Sequence, residues 1–186
     1  MQERVFRKLL ELARAGVPIR THSGKVEKGD IFVALPGTRV DGAQYIPQAL
    51  ERGAAYVVTS SLPAEVKSRE KIIIHPHPAR ALGELARAYF GTENLKAKII
   101  GITGTNGKTT TTYLLEHLLG ENGFKAGVIG TVSYRWSGKE FMADMTTPDC
   151  LRLHHLLSQM GRDGVDFVCM EVSSHALDQE IGRAHV

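Results

Sequence analysis

A chain of 186 residues, 42% hydrophobic and 23% charged, is long enough for one full domain or two small ones and has an ordinary globular composition. A net charge of +3 with no Lys/Arg block argues against a nucleic-acid tract, and no apolar run approaches the ~20 residues that span a bilayer. The two cysteines, Cys150 and Cys169, lack metal-ligand spacing, and the N-terminus opens no apolar signal core. A cytoplasmic monomer that contacts neither nucleic acid nor membrane is expected.

In chain order, Val5, Leu9, Leu12 and Ala13 share one helical face, and Gly16 suits the position just past the helix end. Strand-like apolar runs at 17–20, 31–35, 55–59 and 71–74 then alternate with helical patterns near 43–52 and 79–90. The run His75-Pro76-His77-Pro78 reads as a rigid connector, because the prolines restrict the backbone and no third metal ligand is near. Turn residues Gly91-Thr92-Glu93-Asn94 interrupt the periodicity and place a domain boundary after residue 93. Residues 1–93 thus read as a small α/β domain. From 94 to 186 the order strand (99–103), helix (109–121), strand (126–130) indicates a parallel sheet with right-handed crossovers. Only about three parallel strands are convincing where open nucleotide-binding sheets usually have more, so this second domain is expected to be incomplete.

Between its first strand and helix lies Gly104-Thr105-Asn106-Gly107-Lys108-Thr109-Thr110. Glycines let backbone N–H groups close around phosphate oxygens and deliver them to a helix N-terminus. Lys108 then reaches the β- and γ-phosphates of a nucleoside triphosphate, and the Thr109 hydroxyl joins the shell of a Mg²⁺. A strict phosphate loop has glycine five positions before the Gly-Lys pair; Ile102 stands there instead. The competing reading is a Gly-Asn turn beside a solvated Lys108.

The apolar run 165–170 ends in Glu171. Ligands of parallel sheets bind beyond the carboxyl ends of strands, which suits Glu171 to Mg²⁺, directly or through water. The alternative is a surface glutamate after a buried strand. Ser173-Ser174-His175 on the same rim offers polar contacts, or a helix N-cap at either serine. Thr146-Thr147-Pro148-Asp149 precedes a helical pattern of Leu151, Leu153, Leu156, Leu157 and Met160, with Thr147 as N-cap and Pro148 at the first helical position.

Four stretches together resemble the Mur ligases, the ATP-dependent amide-forming enzymes of peptidoglycan synthesis, and most of all the branch that adds the third peptide residue. They are residues 28–37 with Asp41-Gly42, the loop at 104–110, Thr146-Thr147-Pro148, and residues 170–177. The resemblance implies an N-terminal domain, 1–93, for a UDP-N-acetylmuramoyl dipeptide, followed by the first part of a central ATP-binding domain, 94–186. It implies substrate contacts at Ser23, Thr38, Arg39 and Val40, and at Thr146, Thr147, Ser173 and Gln179. Gly104, Thr105, Asn106, Gly107, Lys108, Thr109 and Thr110 would hold ATP, Thr109 and Glu171 would hold Mg²⁺, and Lys108 and Glu171 would be catalytic. His22 and Gly24 stand where the family has Asp and Arg beside the serine, and Ile181 where it has Arg.

The implied reaction phosphorylates the D-glutamate carboxylate and then joins it to the amine of a diamino acid, meso-diaminopimelate or L-lysine. The family's carbamylated lysine, metal-binding histidine and amino-acid-receiving domain fall after more residues than this chain has, so the 186 residues alone are expected not to complete the ligation. Three alternatives stay open. A D-alanyl-D-alanine-adding ligase and a folylpolyglutamate synthase share the loop, although residues 28–37 and 171–177 argue against both. A non-catalytic nucleotide-binding module would keep the loop without the rest.

Overall fold

The structure is a computed structural model that describes residues 2–37, 40–64, 66 and 69–178. It divides into two compact units, residues 1–90 and 91–186. In the first, helix α1 (Gln2–Arg14) turns the fully buried Leu9 and Ala13 to one side and packs on helix α3 (Pro78–Phe90). Strands β1 (Ile19–Arg20), β2 (Ile31–Val33), β3 (Tyr56–Thr59) and β4 (Ile72–Ile74) form a parallel sheet in chain order. All three residues of β2 are buried, the continuous apolar pattern of a parallel strand covered on both faces.

Helix α2 is shorter than its apolar pattern, running Ile46–Glu51. The preceding Gly42–Tyr45 winds as a 3₁₀ turn because Asp41 caps it, accepting from the Ala43 N–H at 2.9 Å. Phe32, Ile46, Ala49 and Val57 meet in the core beside it.

The second unit runs β5 (Lys98–Ile102), α4 (Lys108–Glu121), β6 (Ala126–Ile129), β7 (Ser133–Trp136), β8 (Lys139–Met142), α5 (Cys150–Arg162), β9 (Phe167–Glu171) and α6 (Ser174–Asp178). Its sheet order is β5-β9-β6-β7-β8. The three expected parallel strands are β5, β9 and β6, with the last of them in sequence lying between the other two. An antiparallel hairpin, β7–β8, extends the sheet beyond that expectation. Its two-residue turn, Ser137-Gly138, has φ of 48° and 78°, as the twist-compatible type I′ turn requires. Trp136 sits behind it, 2% exposed, packed with Tyr134, Leu156, Leu157 and Met160. Its indole N–H donates to Asp163 at 2.6 Å, and Lys139 donates to the same carboxylate at 2.6 Å.

Four helices stop in one way. After α1, α2, α4 and α5 a glycine of positive φ (Gly16, Gly53, Gly123 and Gly164) donates back into the last turn, as does the residue after it. Gly16 takes the stop position read from the sequence. The start of α5 corrects the sequence reading: the cap is Asp149, whose side chain accepts from the Arg152 N–H at 2.8 Å, and the helix begins at Cys150. Thr147 is not free to cap, because its buried hydroxyl is bound to the end of β9. Among the described residues no helix is long and apolar enough to cross a membrane.

Candidate functional site

The glycine loop leaves the carboxyl end of β5 and enters α4 at Lys108. Gly104 and Gly107 have φ of 142° and 82°, conformations closed to most side chains. Gly107 is the helix N-cap and offers no side chain, and the first intrahelical bond runs from the Thr111 N–H to the Gly107 carbonyl. The N–H groups of Lys108, Thr109 and Thr110 therefore stand ahead of the helix ladder, the arrangement that binds anions. Lys108 folds back over this loop, its ammonium donating to the Gly104 carbonyl at 2.6 Å. Position 102, where a strict phosphate loop has glycine, still belongs to the strand here. Ile102 is the last residue of β5, opposite Glu171 of β9, and its carbonyl accepts from the Val172 N–H at 2.8 Å.

Glu171 closes β9 and is 1% exposed. A buried carboxylate demands donors, and three reach it. The Thr109 hydroxyl donates to Oε2 at 3.1 Å, the Thr131 hydroxyl to the same oxygen at 2.9 Å, and the Thr131 N–H to Oε1 at 3.1 Å. Among the described residues no Lys or Arg forms an ion pair with it. The strand-end rule thus brings the threonine of the loop and the acid of a neighbouring strand into contact.

Thr146 and Thr147 lie on the same rim. Thr146 Oγ1 is 3.1 Å from Thr131 Oγ1. Thr147, 6% exposed, donates to the Glu171 carbonyl at 3.0 Å and accepts from the Ser173 N–H at 3.1 Å. Ser173 caps α6, accepting from the Ala176 N–H at 3.1 Å. Gln179 lies outside the described residues. In the first unit, Ser23 is 6% exposed and its hydroxyl donates to Gln48 at 2.6 Å, while Val40 is exposed and Thr38 and Arg39 lie outside the described residues. His22, at the place of the family's acid, caps the Ser23–Lys25 turn: its Nδ1 accepts from the Gly24 N–H at 3.1 Å.

Gly130 and Thr131 escaped the sequence reading. Their signal was a small residue and a hydroxyl directly after the apolar run of β6, on the rim that already drew attention to Glu171.

The donor set fits Mg²⁺. Every candidate ligand is a hard oxygen, and one carboxylate with a hydroxyl beside a phosphate loop is how this ion is usually held, the remainder being phosphate and water. The described residues contain no cluster of three or more His, Cys, Asp or Glu that would cage a metal by themselves. With its proton given to Glu171, the Thr109 oxygen keeps acceptor capacity of the kind a cation uses.

The second unit is an α/β domain in which a glycine loop of phosphate-loop type faces an acid across parallel strands. Residues 102–185 match the Mur ligase middle domain and residues 18–90 the model described as Mur ligase family, catalytic domain. The chain belongs to the Mur ligase family.

The UDP-N-acetylmuramoyl-L-alanyl-D-glutamate–2,6-diaminopimelate ligase of Lawsonia intracellularis is 52% identical over 169 residues, 91% of this chain and 35% of that protein. A solved structure of a ligase of the same name superposes with a TM-score of 0.72 at 29% identity, over 90% of this chain and 34% of that one. MurF ligase from Thermotoga maritima, solved in complex with ADP, superposes with a TM-score of 0.50 at 25% identity, over 87% of this chain and 33% of that one. The chain spans about a third of the length of the curated relatives it matches.

Proposed function

We propose that this chain provides the nucleotide and UDP-substrate sites of an ATP-dependent ligase of peptidoglycan precursor synthesis, which joins diaminopimelate to UDP-N-acetylmuramoyl-L-alanyl-D-glutamate as a monomer in the cytoplasm. The carrying observation is the contact of Thr109 with Glu171 at the mouth of the glycine loop. The names of the relatives support the choice of substrate and amino acid. Residues 1–93 are assigned to the UDP end of the substrate, through Ser23, Thr38, Arg39 and Val40. Residues 94–186 are assigned to ATP and to the peptide end, through Thr146, Thr147, Ser173 and Gln179.

A carboxylate is a poor acyl donor until one oxygen becomes a good leaving group. In the first step that oxygen attacks the γ-phosphorus of ATP, the bond to the β-phosphate oxygen breaks, and ADP leaves an acyl phosphate. In the second, the amine nitrogen attacks the acyl carbon, the carbon–oxygen bond to phosphate breaks, and the amine loses a proton as the amide forms. The protein's part is to hold the groups in line and to neutralise charge on the transferring phosphoryl. The N–H groups around residues 104–110 cradle phosphate oxygens. Lys108 exchanges its bond to the Gly104 carbonyl for one to phosphate. Thr109 and Glu171 would hold Mg²⁺, which supplies further positive charge against the phosphate oxygens when bound.

Isothermal titration of the purified chain with Mg·ATP tests the nucleotide half. Lys108→Ala removes the charge-assisted contact and is expected to weaken ATP roughly tenfold to a hundredfold. Unchanged ATP affinity in that variant refutes the assignment. Titration with the UDP-muramoyl dipeptide tests the other half separately.

A further inference from the structure

We propose that Gly130 and Thr131, at the carboxyl end of β6, form a cradle that positions the Glu171 carboxylate for a divalent cation bound together with nucleotide phosphates. The inference rests on the phosphate-loop reading of residues 104–110.

Two features of the cradle are independent of each other. A Cβ at position 130 would lie 2.4 Å from Glu171 Oε1 and 3.2 Å from its carboxyl carbon. No real side chain tolerates the first distance, so the carboxylate occupies its place only because residue 130 is glycine. Thr131 then takes both carboxylate oxygens, one through its backbone N–H and the other through its hydroxyl. Such two-point holding fixes rotation of the carboxyl group as well as its position.

The hydroxyl protons decide the division of labour. The Thr131 hydroxyl has a single proton, which it donates to Glu171 Oε2 at 2.9 Å, with Thr146 Oγ1 a further 3.1 Å neighbour of the same hydroxyl oxygen. Thr109 also donates to Oε2, but its oxygen is the one that faces the phosphates and is needed by the cation. An anchor that is itself a ligand shifts when the ligand shell forms. Thr131 is the donor to Glu171 that has no such second task, and it keeps the acid in place while the shell of Thr109 is completed. Thr131 is therefore a positioning residue, acting on the cation through Glu171.

The test compares ATP affinity of the full 186-residue chain by isothermal titration in Mg²⁺, in Mn²⁺ and in EDTA. Far-ultraviolet circular dichroism confirms the fold of each variant. Thr131→Val keeps the shape and the backbone N–H but removes the hydroxyl. Gly130→Ala pushes the carboxylate out by a separate route. Both are expected to reduce the strengthening of ATP binding by Mg²⁺ or Mn²⁺ roughly tenfold, with affinity in EDTA unchanged. Thr131→Ser is expected to retain the metal effect. In a Glu171→Gln background, Thr131→Val should cost nothing further, since it acts only through that carboxylate.

A folded Thr131→Val or Gly130→Ala chain with the full metal effect overturns the cradle, as does an equal loss in the Glu171→Gln background. If Thr131→Val fails to fold, Gly130→Ala and Thr131→Ser decide the question by the same titrations. The Lys108→Ala control separates the two levels. ATP binding that survives it, or absent from the parent chain, removes the phosphate-loop reading and the cradle with it. Lys108-dependent binding without the Thr131 effect removes the cradle alone.

Discussion

Replacing Thr147 by valine isolates what a single hydroxyl does at the rim. The side chain bridges two backbone groups that belong to different segments, the Glu171 carbonyl at 3.0 Å and the Ser173 N–H at 3.1 Å. Valine preserves the branched shape, so no cavity opens and the change is polar. The Glu171 residue is 1% exposed, and its carbonyl bears the penalty of an unpaired buried group, about 1–3 kcal/mol. Ser173 is only half-buried, so its N–H regains part of its loss from water. The sum is about 2–4 kcal/mol. Thr147→Ser keeps both bonds and removes one methyl, which costs about 1 kcal/mol.

The assay is direct because Trp136 is the chain's single tryptophan and lies in the second unit. Its fluorescence in a urea titration follows that unit alone. Thr147→Val should show the lower midpoint of the two variants, with slopes equal to the parent's. Each kcal/mol corresponds to roughly 4–8 °C of melting temperature for a unit of this size. Serine that destabilises as much as valine would refute the reasoning, since the methyl and not the bridge would then hold the rim.

Asp149→Ala removes the cap of α5 and should cost about 1 kcal/mol, read from the same tryptophan; a neutral effect would return the cap to Thr147. The Asp163 carboxyl is held below its ordinary 3.8 by hydrogen bonds from Lys139 and then Trp136, against the opposing effect of burial. A carboxyl lowered in the folded state contributes stability that is complete above its unfolded value and is lost as pH falls through its folded one. Urea midpoints should therefore drop as pH falls below 3.8, and less steeply in Asp163→Asn; equal acid sensitivity in both would contradict this. Burial pushes the Cys150 thiol up to about 12, with Asp149 adding to it, and Cys169 up to about 11, with Glu116 adding to it. Neither should react with a thiol reagent near pH 8 (roughly the range of a free thiol) until the chain is denatured. Rapid labelling of the native chain would exclude that burial.

The alternation of strands and helices was legible because parallel strands buried on both faces read as short apolar runs, as 31–33 and 56–59 do. The neighbourhood of Thr109 and Glu171 followed from the rule that parallel strands present their carboxyl ends to a ligand. The hairpin was missed because Ser133–Trp136 and Lys139–Met142 are four-residue strands, half of their residues polar, and only the first alternates polar with apolar. The Ser137-Gly138 pair was their only local punctuation. Sheet order was out of reach, since nothing in the runs themselves tells β9 to lie between β5 and β6. The Thr147 cap was misread for a tertiary reason. Its hydroxyl is claimed by a strand end 24 residues later, and local capping statistics contain no trace of that competitor.

The central place of β9 also sets a timetable. A ribosome releases β5, the glycine loop, α4 and β6 well before it releases the strand that pairs with both sheet neighbours. Thr109 waits for an acid 62 residues downstream. Until then β5 and β6 have no common partner, and their unpaired edges are open to aggregation or to chaperones. An arrested nascent chain released just before residue 167 would carry the whole glycine loop in its sequence, and the β6–β7–β8 ribbon, but not the strand that joins β5 to them.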